Sequence, residues 1–324
     1  MPGQGYGFVP LPDTVARRER EQARFDRHAP GCMGVVIDLE YVNLEAVHVG
    51  SGFWTLHANQ AVRSIARSGE HPVLPGSSMK GVLRARYEAI TRSCAGRRAP
   101  KGAMLGDRLP SRTFPGHRVE FSQAVKDHPV FTVCRPPQLC PACALFGQMS
   151  QRGRVSVHDF VAAPSSVKRA ELPKRFSPRP HHLGSFEPPG TTGRIVVHTL
   201  HGRKLHEGSA PAPEQRGEPA EAIKRGTIFS GRLVCSNITE AEFGGLLSIL
   251  GVYPRTELRV GSAKAHHFGR LDLAEMPKIA VVHPKEMDDK ESLPNRAVER
   301  FRSSDDYWAD GEQALFELFR SQGQ

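Results

Sequence analysis

The order of predicted elements, strand, helix, strands, helix, strand, indicates an α+β protein with a split βαβ core. Three observations support this fold class. Apolar and polar residues alternate from Val35 onward, an apolar helical repeat follows the segment PGSS at residues 75–78, and a second strand and helix begin near residue 227. A period of two indicates a half-buried strand, and spacings of three and four indicate an amphipathic helix. Because the same layout underlies the ferredoxin-like fold and the RNA-recognition motif (RRM), we expect an RRM-like core.

The first strand and the first helix are the most regular elements. In the strand, apolar positions alternate with mostly polar ones: Ile37, Leu39 and Tyr41 against Asp38, Glu40 and Val42. Ser77 and Ser78 are suitable N-capping residues for the helix. Its apolar residues are Met79, Val82, Leu83, Tyr87 and Ile90. Residues 48–74, between strand and helix, are expected to form a glycine-containing loop.

A second strand and helix repeat the pattern later in the chain. The segment TIFSGRLVC is typical of a strand, and Thr239 with Glu242 forms a predicted capping box. The following helix has four apolar residues: Phe243, Leu246, Leu247 and Leu250. Two further short strands, ELRV and RLDL, flank a glycine-containing turn.

Composition divides the chain into a core and two extensions. We expect a basic N-terminal extension at 1–32, a core at 33–273, and a partly helical extension at 274–324. Within the core, we expect a zinc-binding loop at about residues 117–147. Residues 164–222 are rich in Pro, Gly, His and Arg and show little periodicity. A stretch of this length is usually a functional insertion or a disordered loop.

The charge of the chain favours a polyanionic partner. The formal net charge is +10 and the pI is near 9.6, which on charge alone fits nucleic acid or an anionic membrane surface. No run of 18 apolar residues occurs, and the first residues lack the layout of a signal peptide. No basic amphipathic helix is strong enough to argue for a membrane-surface protein. We therefore expect a cytoplasmic protein with no membrane partner.

The cysteines predict a zinc site. Three lie within ten positions: Cys134, Cys140 and Cys143. In a reducing compartment such a cluster is typical of a metal site, and a structural zinc needs one more donor. His128 is our first candidate and His117 the second, with Cys94 as a more distant one. A redox CxxC is the alternative, although it would not require Cys134.

Two segments are candidates for RNA contacts. In PGSSMKGVLR, a helix N-terminus and two hydroxyls can hold a phosphate, and Lys80 and Arg84 add charge on one helical face. In RVGSAKAHHFGRLDL, glycines permit close backbone approach beside four basic side chains: Lys264, His266, His267 and Arg270. The alternatives are an ordinary capped helix and a basic hairpin.

Taken together, the motifs resemble a known family. The segments FVPLP, LPGSSMKGVLR, CPACALFG with RGRVSVHDF, RGTIFSGRLV and KAHHFGRLDL occur in the order found in the RAMP superfamily. That family includes the repeated backbone subunit of type III CRISPR effector complexes. The resemblance spans roughly residues 6–273 and is closest to the type III-D-like branch, and type VII backbone subunits are also similar.

The resemblance implies an RNA-binding role. Such subunits polymerise along a CRISPR guide RNA, and in the family the PGSSxKGxxR segment contacts the guide backbone, here through Ser77, Ser78, Lys80 and Arg84. The later glycine-containing segment around Lys264 also lies near the guide. Arg152 and Arg154 of RGRVSVHDF complete the candidate RNA-binding set. Residues 164–222 match the position of a thumb that kinks the guide–target duplex. The implied partners are guide RNA, complementary target RNA, further copies of the chain and end-capping subunits, with a separate nuclease subunit as a further candidate.

One departure from the family concerns cleavage. Slicing members carry an aspartate between the first strand and the PGSS segment, whereas this chain has only Glu70 there, with His48 and His57. We therefore expect a backbone subunit that does not slice. The alternatives are a metal-dependent target endoribonuclease and a guide-processing ribonuclease that uses His48 or His57, since histidine supports metal-free RNA cleavage.

Overall fold

The computed structural model describes residues 5–95, 118–173, 184–187, 194–210, 217–284 and 291–320. Within these residues the strands are β1 (Gly7–Val9), β2 (Arg18–Glu19), β3 (Met33–Asn43), β4 (Gly50–His57), β5 (Gln60–Ile65), β6 (Arg67–Ser68), β7 (His71–Leu74), β8 (Arg118–Phe121), β9 (Gln138–Leu139), β10 (Val155–Val157), β11 (Phe160–Val161), β12 (Val167–Leu172), β13 (Phe186–Glu187), β14 (Arg194–Val197), β15 (Arg203–Leu205), β16 (Glu218–Ile223), β17 (Ile228–Ile238), β18 (Leu258–Arg259), β19 (Arg270–Leu273) and β20 (Lys278–His283). The helices are α1 (Gly76–Ile90), α2 (Gln123–Lys126), α3 (Pro141–Phe146), α4 (Glu240–Ile249), α5 (Leu293–Arg302) and α6 (Ala309–Phe319). The mixture of sheet and helix confirms the predicted α+β class.

The largest sheet is organised around β3 and β17, which are antiparallel. Its strand order is β18-β19-β3-β17-β11-β7-β6, with β10 also on β17 and β20 also on β3. One face of β3 is buried through Val35, Ile37, Leu39 and Tyr41, as the alternation predicts. These side chains share one hydrophobic core with residues of α1 and α4, so the two helices cover a single face of the sheet.

Both predicted helices form, but their N-termini differ. Thr239 and Glu242 make the expected capping box at the start of α4. At α1 the cap position is Pro75, and neither Ser77 nor Ser78 caps the helix. The Gly76 N–H instead donates to Asp159 Oδ1 at 2.7 Å, so a carboxylate from another segment does the capping. The prediction of a serine cap was wrong because that partner is distant in sequence.

Residues 48–74 form strands rather than the expected loop. β4 and β5 make a hairpin around Ala58 and Asn59, both with positive φ, and β6 and β7 make a second one. β5 also pairs with β16, giving a four-stranded sheet in the order β12-β16-β5-β4. The hairpin is thus joined to the described ends of the 164–222 insertion, which include β12 and β16. This long-range pairing has no local sequence signal.

The segments at both ends of the chain pack onto the core. β1 pairs with β15, β2 with β9, and β20 with β3. Buried Arg20 donates to both carboxylate oxygens of Asp306, at 2.7 and 2.9 Å, which ties the first segment to the last. α5 packs on α4, and α6 packs on α1. No helix within the described residues is long and apolar enough to cross a membrane.

Candidate functional site

Four buried cysteines form a cluster with the dimensions of a metal centre. The sulfur atoms of Cys94, Cys134, Cys140 and Cys143 all lie within 4.8 Å of one another. Cys94 Sγ is 3.6 Å from the Sγ of Cys143, 3.8 Å from that of Cys134 and 3.6 Å from that of Cys140. A tetrahedral zinc site with Zn–S bonds of about 2.3 Å has sulfur–sulfur edges of about 3.8 Å. The cluster therefore fits a zinc ion held by four thiolates.

Local structure brings the four sulfurs together. Cys140 precedes the first turn of α3, and its N–H donates to Cys134 Sγ at 3.3 Å. The N–H of Ala142 donates to Ser93 Oγ at 3.0 Å, which attaches α3 to the segment that follows α1. Cys94 is the next residue, so the end of α1 delivers the fourth sulfur.

The fourth position is a correction to the predicted ligand set. His128 does not join the cluster: its Nδ1 accepts a hydrogen bond from the Val130 N–H at 3.4 Å, and it begins a short 3-10 turn. His117 lies outside the described residues. Cys94 is 40 residues before Cys134, and only the packing of α1 against α3 brings it close. Proximity in sequence therefore favoured the wrong residue.

The two predicted RNA-contact segments line one groove of about 490 Å³. Ser77 and Ser78 come from the start of α1, and Lys264 comes from the connection between β18 and β19. Gly261 lies at the wall of this groove with φ +87°, and a side chain there would collide with the His48 carbonyl. The glycine is thus required for the close approach of the β18–β19 connection to the backbone of His48.

The groove carries cations that no carboxylate neutralises. None of the described residues that line it is acidic, and in the described part of the chain neither Lys204 nor Lys264 has a carboxylate partner. Partial burial lowers the pKa of both lysines, and for Lys264 the neighbouring Arg259 adds to this. Lys204 Nζ also lies 3.5 Å from the centroid of the Tyr6 ring. An anion that enters this groove would offset the cost of burying the two lysines and relieve the repulsion between Lys264 and Arg259.

Two other groove residues, His206 and Arg259, offer little positive charge to a ligand. Burial, together with Lys264 and Lys204, lowers the pKa of His206 to about 4, so the imidazole is neutral at physiological pH. Arg259 is ion-paired with Glu45 at 2.7 Å. Arg86 also lines the groove, but it is buried and donates to the carbonyls of Ile249 and Glu257. The positive charge accessible to a ligand therefore comes mainly from the two lysines.

Three of the predicted RNA contacts lie on or near α1 but do not line the groove. Lys80 is half-buried, and this lowers its pKa. The Arg84 side chain donates to Glu88 Oε1 at 2.9 Å and to the Gly147 carbonyl at 2.7 Å. Arg152 is exposed and lies over the ring of Phe25, 5.8 Å from its centroid.

Arg154 corrects a predicted RNA contact. It is 2% exposed and donates to the carbonyls of Ala144, at 3.0 Å, and Asn237, at 2.6 Å. It is also ion-paired with buried Glu242. A guanidinium enclosed in this way has no surface for a phosphate. Its role is to join the end of α3 to the start of α4.

The four basic residues of the later segment lie in four different environments. Lys264 lines the groove, whereas His266 is buried and bridges to the backbone of Ser209. His267 is exposed, has a φ of 54° and lies 3.8 Å from Glu45. Arg270, in β19, is ion-paired with Glu257. One of the four predicted basic residues therefore faces the groove.

Sequence reasoning missed the contribution of β15. Lys204 and His206 line the groove although they belong to the 164–222 insertion, where no periodicity marks a strand. The one signal was the basic run HGRKLH at 201–206. Its position beside α1 depends on pairing with β1, almost 200 residues earlier.

Comparison with known proteins agrees with this arrangement. The sequence model of the RAMP superfamily matches residues 43–272, more than two thirds of the chain. The match contains both groove segments and all four clustered cysteines. No match to a curated protein is found. Proteins of this superfamily bind CRISPR RNA in effector complexes. The extent of the match shows that the chain belongs to the RAMP superfamily.

Proposed function

We propose that this chain is a backbone subunit of a type III-D-like CRISPR effector complex. It binds the guide RNA, repeats along it as further copies, and holds it for complementary target RNA. The observation that carries the proposal is the groove in which α1, β15 and the β18–β19 connection present Lys204 and Lys264 without a neutralising carboxylate. Unpaired, partly buried cations beside serine hydroxyls fit a phosphate backbone.

The topology of the sheet supports an RRM-like core. Its central strands run β19-β3-β17-β11, with α1 between β3 and β11 in sequence and α4 between β17 and β19. This is the strand and helix order expected for a split βαβ fold. In this proposal the groove lies at the N-terminal end of α1, beside the sheet.

The chemistry of the groove suits a guide of any sequence. Ammonium and hydroxyl groups contact phosphates and sugars, which carry no base information. A subunit that coats successive segments of different sequence needs this kind of contact. Binding should accordingly depend on salt and not on base identity.

The surroundings of the candidate catalytic residues support a subunit that does not slice. His48 is 2% exposed, its Nδ1 is bonded to the Glu221 carbonyl at 2.7 Å, and burial lowers its pKa. His57 lies 3.5 Å from Glu221. Glu70 is exposed in the turn between β6 and β7. Among the described residues, the four cysteines are the one group of three or more ligand side chains close enough to hold a metal.

The proposal also assigns roles to the cysteine cluster, to the 164–222 insertion and to partner subunits. The cysteine cluster would hold one structural zinc, which stabilises the end of α1 and α3. The 164–222 insertion would act as a thumb on the guide–target duplex. End-capping subunits would limit the filament, and any cleavage of target would come from a separate nuclease.

One assay tests both binding and cleavage. The purified chain is mixed with a guide RNA, and its mass is followed by native mass spectrometry. Copies should add in steps, and their number should rise with guide length. Labelled complementary RNA is then added with magnesium or manganese, and the target should stay intact.

Two results would overturn parts of this proposal. Failure to bind RNA at low salt would refute the guide-binding role. Evenly spaced target products, lost on changing Glu70 or His57 to alanine, would instead establish the alternative of a metal-dependent endoribonuclease.

A further inference from the structure

Arg84 contacts the cysteine cluster rather than the groove. Its Nη2 lies 3.9 Å from Cys143 Sγ, while its Nε is bonded to Glu88 and its Nη1 to the Gly147 carbonyl. A zinc ion held by four thiolates carries a net charge of about −2, which a neighbouring guanidinium offsets. Arg84 thus lies on the metal side of α1.

Glu88 extends this contact to a second arginine. Its Oε2 accepts from Arg203 Nη1 at 3.0 Å while Oε1 is occupied by Arg84. Arg203 Nη2 donates to the backbone carbonyls of Ser93, at 2.9 Å, and Cys94, at 3.1 Å. Two arginines that share one carboxylate therefore hold a cysteine thiol and the backbone of a second cysteine. We call Arg84, Glu88 and Arg203 the arginine–glutamate bridge.

The bridge is well placed to act on the groove. Arg203 and Lys204 are consecutive residues of β15, so Arg203 faces the cysteines while Lys204 lines the groove. β15 has three residues, and among the described strands it pairs with β1 alone. A strand this short depends on side-chain contacts for its position. Arg203, whose side chain is 12% exposed, attaches the strand to α1 through Glu88.

We propose that Glu88 is a positioning residue that couples metal binding at the four cysteines to RNA binding in the groove. With metal bound, Cys94 and Cys143 are fixed, Arg84 and Arg203 hold Glu88 between them, and Lys204 stays in place. Without metal the bridge loses two of its attachments and β15 shifts. This inference rests on the proposed RNA-binding function of the groove.

The coupling must act in both directions. If bound metal strengthens RNA binding by some factor, bound RNA strengthens metal binding by the same factor. A structural ion pair with no such role would stabilise the protein without linking the two affinities. Reciprocity therefore separates a positioning role from a merely structural one.

The test measures zinc affinity in the metal-loaded protein by competition with a chelator, with and without saturating guide RNA. RNA should raise the zinc affinity of the parent protein by at least about fivefold. In Glu88→Gln, which keeps the size of the side chain but removes its charge, this factor should fall close to one. The variant should still bind one zinc per chain. Competition with the chelator leaves some metal-free protein at equilibrium, so a factor that arose from unfolding of that form alone would persist in Glu88→Gln and would refute the coupling through Glu88.

Two further variants serve as controls. Glu240→Gln removes a carboxylate of similar exposure that pairs with Arg296 and Arg300, away from the cysteines, and should leave the factor unchanged. Cys94→Ser should reduce zinc binding sharply, whereas His128→Ala should not.

The outcomes are distinguishable. If the parent protein binds RNA but RNA leaves zinc affinity unchanged, the coupling is refuted while the proposed function stands. The coupling is also refuted, and the proposed function stands, if RNA raises the zinc affinity of Glu88→Gln as much as that of the parent protein. If RNA does not bind at all, the proposed function itself fails.

Discussion

The groove and the open face of the central sheet are both polar, yet they differ in how their charges are paired. On the open face, Asp38 Oδ1 accepts from Arg232 Nε at 2.6 Å, and Lys278 lies 3.4 Å from Glu275. In the groove, Lys204 and Lys264 have no carboxylate partner among the described residues. With a net charge of +10, the number of cations in a segment is a poor guide to function. The cations of the proposed RNA-binding groove are therefore available to an anion, whereas those of the open face are already neutralised.

The same comparison divides the predicted RNA contacts into paired and unpaired residues. Arg154 and Arg270 are as basic in sequence as Lys264, but each is engaged by a glutamate. A single sequence does not show which carboxylate lies opposite a given arginine. The following predictions test whether basic residues paired with a carboxylate contribute less to RNA binding than the unpaired ones.

The largest expected effect is on stability, at Arg154. Arg154→Met leaves Glu242 buried without its partner and should lower the free energy of unfolding by about 3 to 5 kcal/mol. Chemical denaturation measures this loss. Glu242→Gln added to Arg154→Met should recover part of it, because the unpaired charge is then removed. RNA affinity per folded molecule should not change, and a specific loss of RNA binding in a stable variant would restore Arg154 to the RNA-binding set.

The next largest effect is on RNA binding by the groove. The double variant Lys204→Ala, Lys264→Ala should weaken binding roughly 100-fold, at about 1.5 kcal/mol for each charged hydrogen bond lost. The slope of log affinity against log salt concentration should fall by about 2. Fluorescence anisotropy at several salt concentrations gives both quantities.

The matched control lies on the sheet face. Arg232→Ala with Lys278→Ala removes the same charge from the chain but takes away only paired cations. Its RNA affinity and salt slope should equal those of the parent. Equal losses in the two double variants would mean that overall charge, and not the groove, binds RNA.

A smaller effect is expected from pH. Burial lowers the pKa of Lys204 and Lys264 below the ordinary value of 10.5, so each loses its charge at a lower pH than an exposed lysine. The protonated form binds phosphate. RNA affinity should therefore be full at neutral pH and should begin to fall below pH 10.5 as the pH rises. Titration with 2′-O-methylated RNA, which resists alkaline hydrolysis, measures this, and the fall should be absent in the groove double variant.

The smallest effect is expected at Arg270. Because Glu257 already neutralises it, Arg270→Gln should change the salt slope by less than about one, the value for loss of a single phosphate contact. The same anisotropy series checks this. A full unit of change would show that the ion pair opens to admit RNA.

Local patterns were sufficient for much of the fold. The alternation in β3, the apolar spacing of α1 and the capping box of α4 each depend on neighbours within a few residues, and all three were predicted. Three zinc-binding candidates also followed from spacing alone. The pairing of the β4–β5 hairpin with β16 and the position of β15 were not predictable, since each depends on a partner strand more than 100 residues away.

The sequence by itself determined the α+β class, the main strand and helix pairs, the three clustered cysteines and the two candidate segments that carry Ser77, Ser78 and Lys264. These features depend on short-range periodicity, spacing and turn chemistry. Only the tertiary structure decided that Cys94 completes the cluster, that Ser77, Ser78 and Lys264 share one groove with Lys204, and that Arg154 is buried in an ion pair. Those outcomes depend on which distant side chains meet when the helices pack on the sheet, and on whether a carboxylate lies opposite each cation.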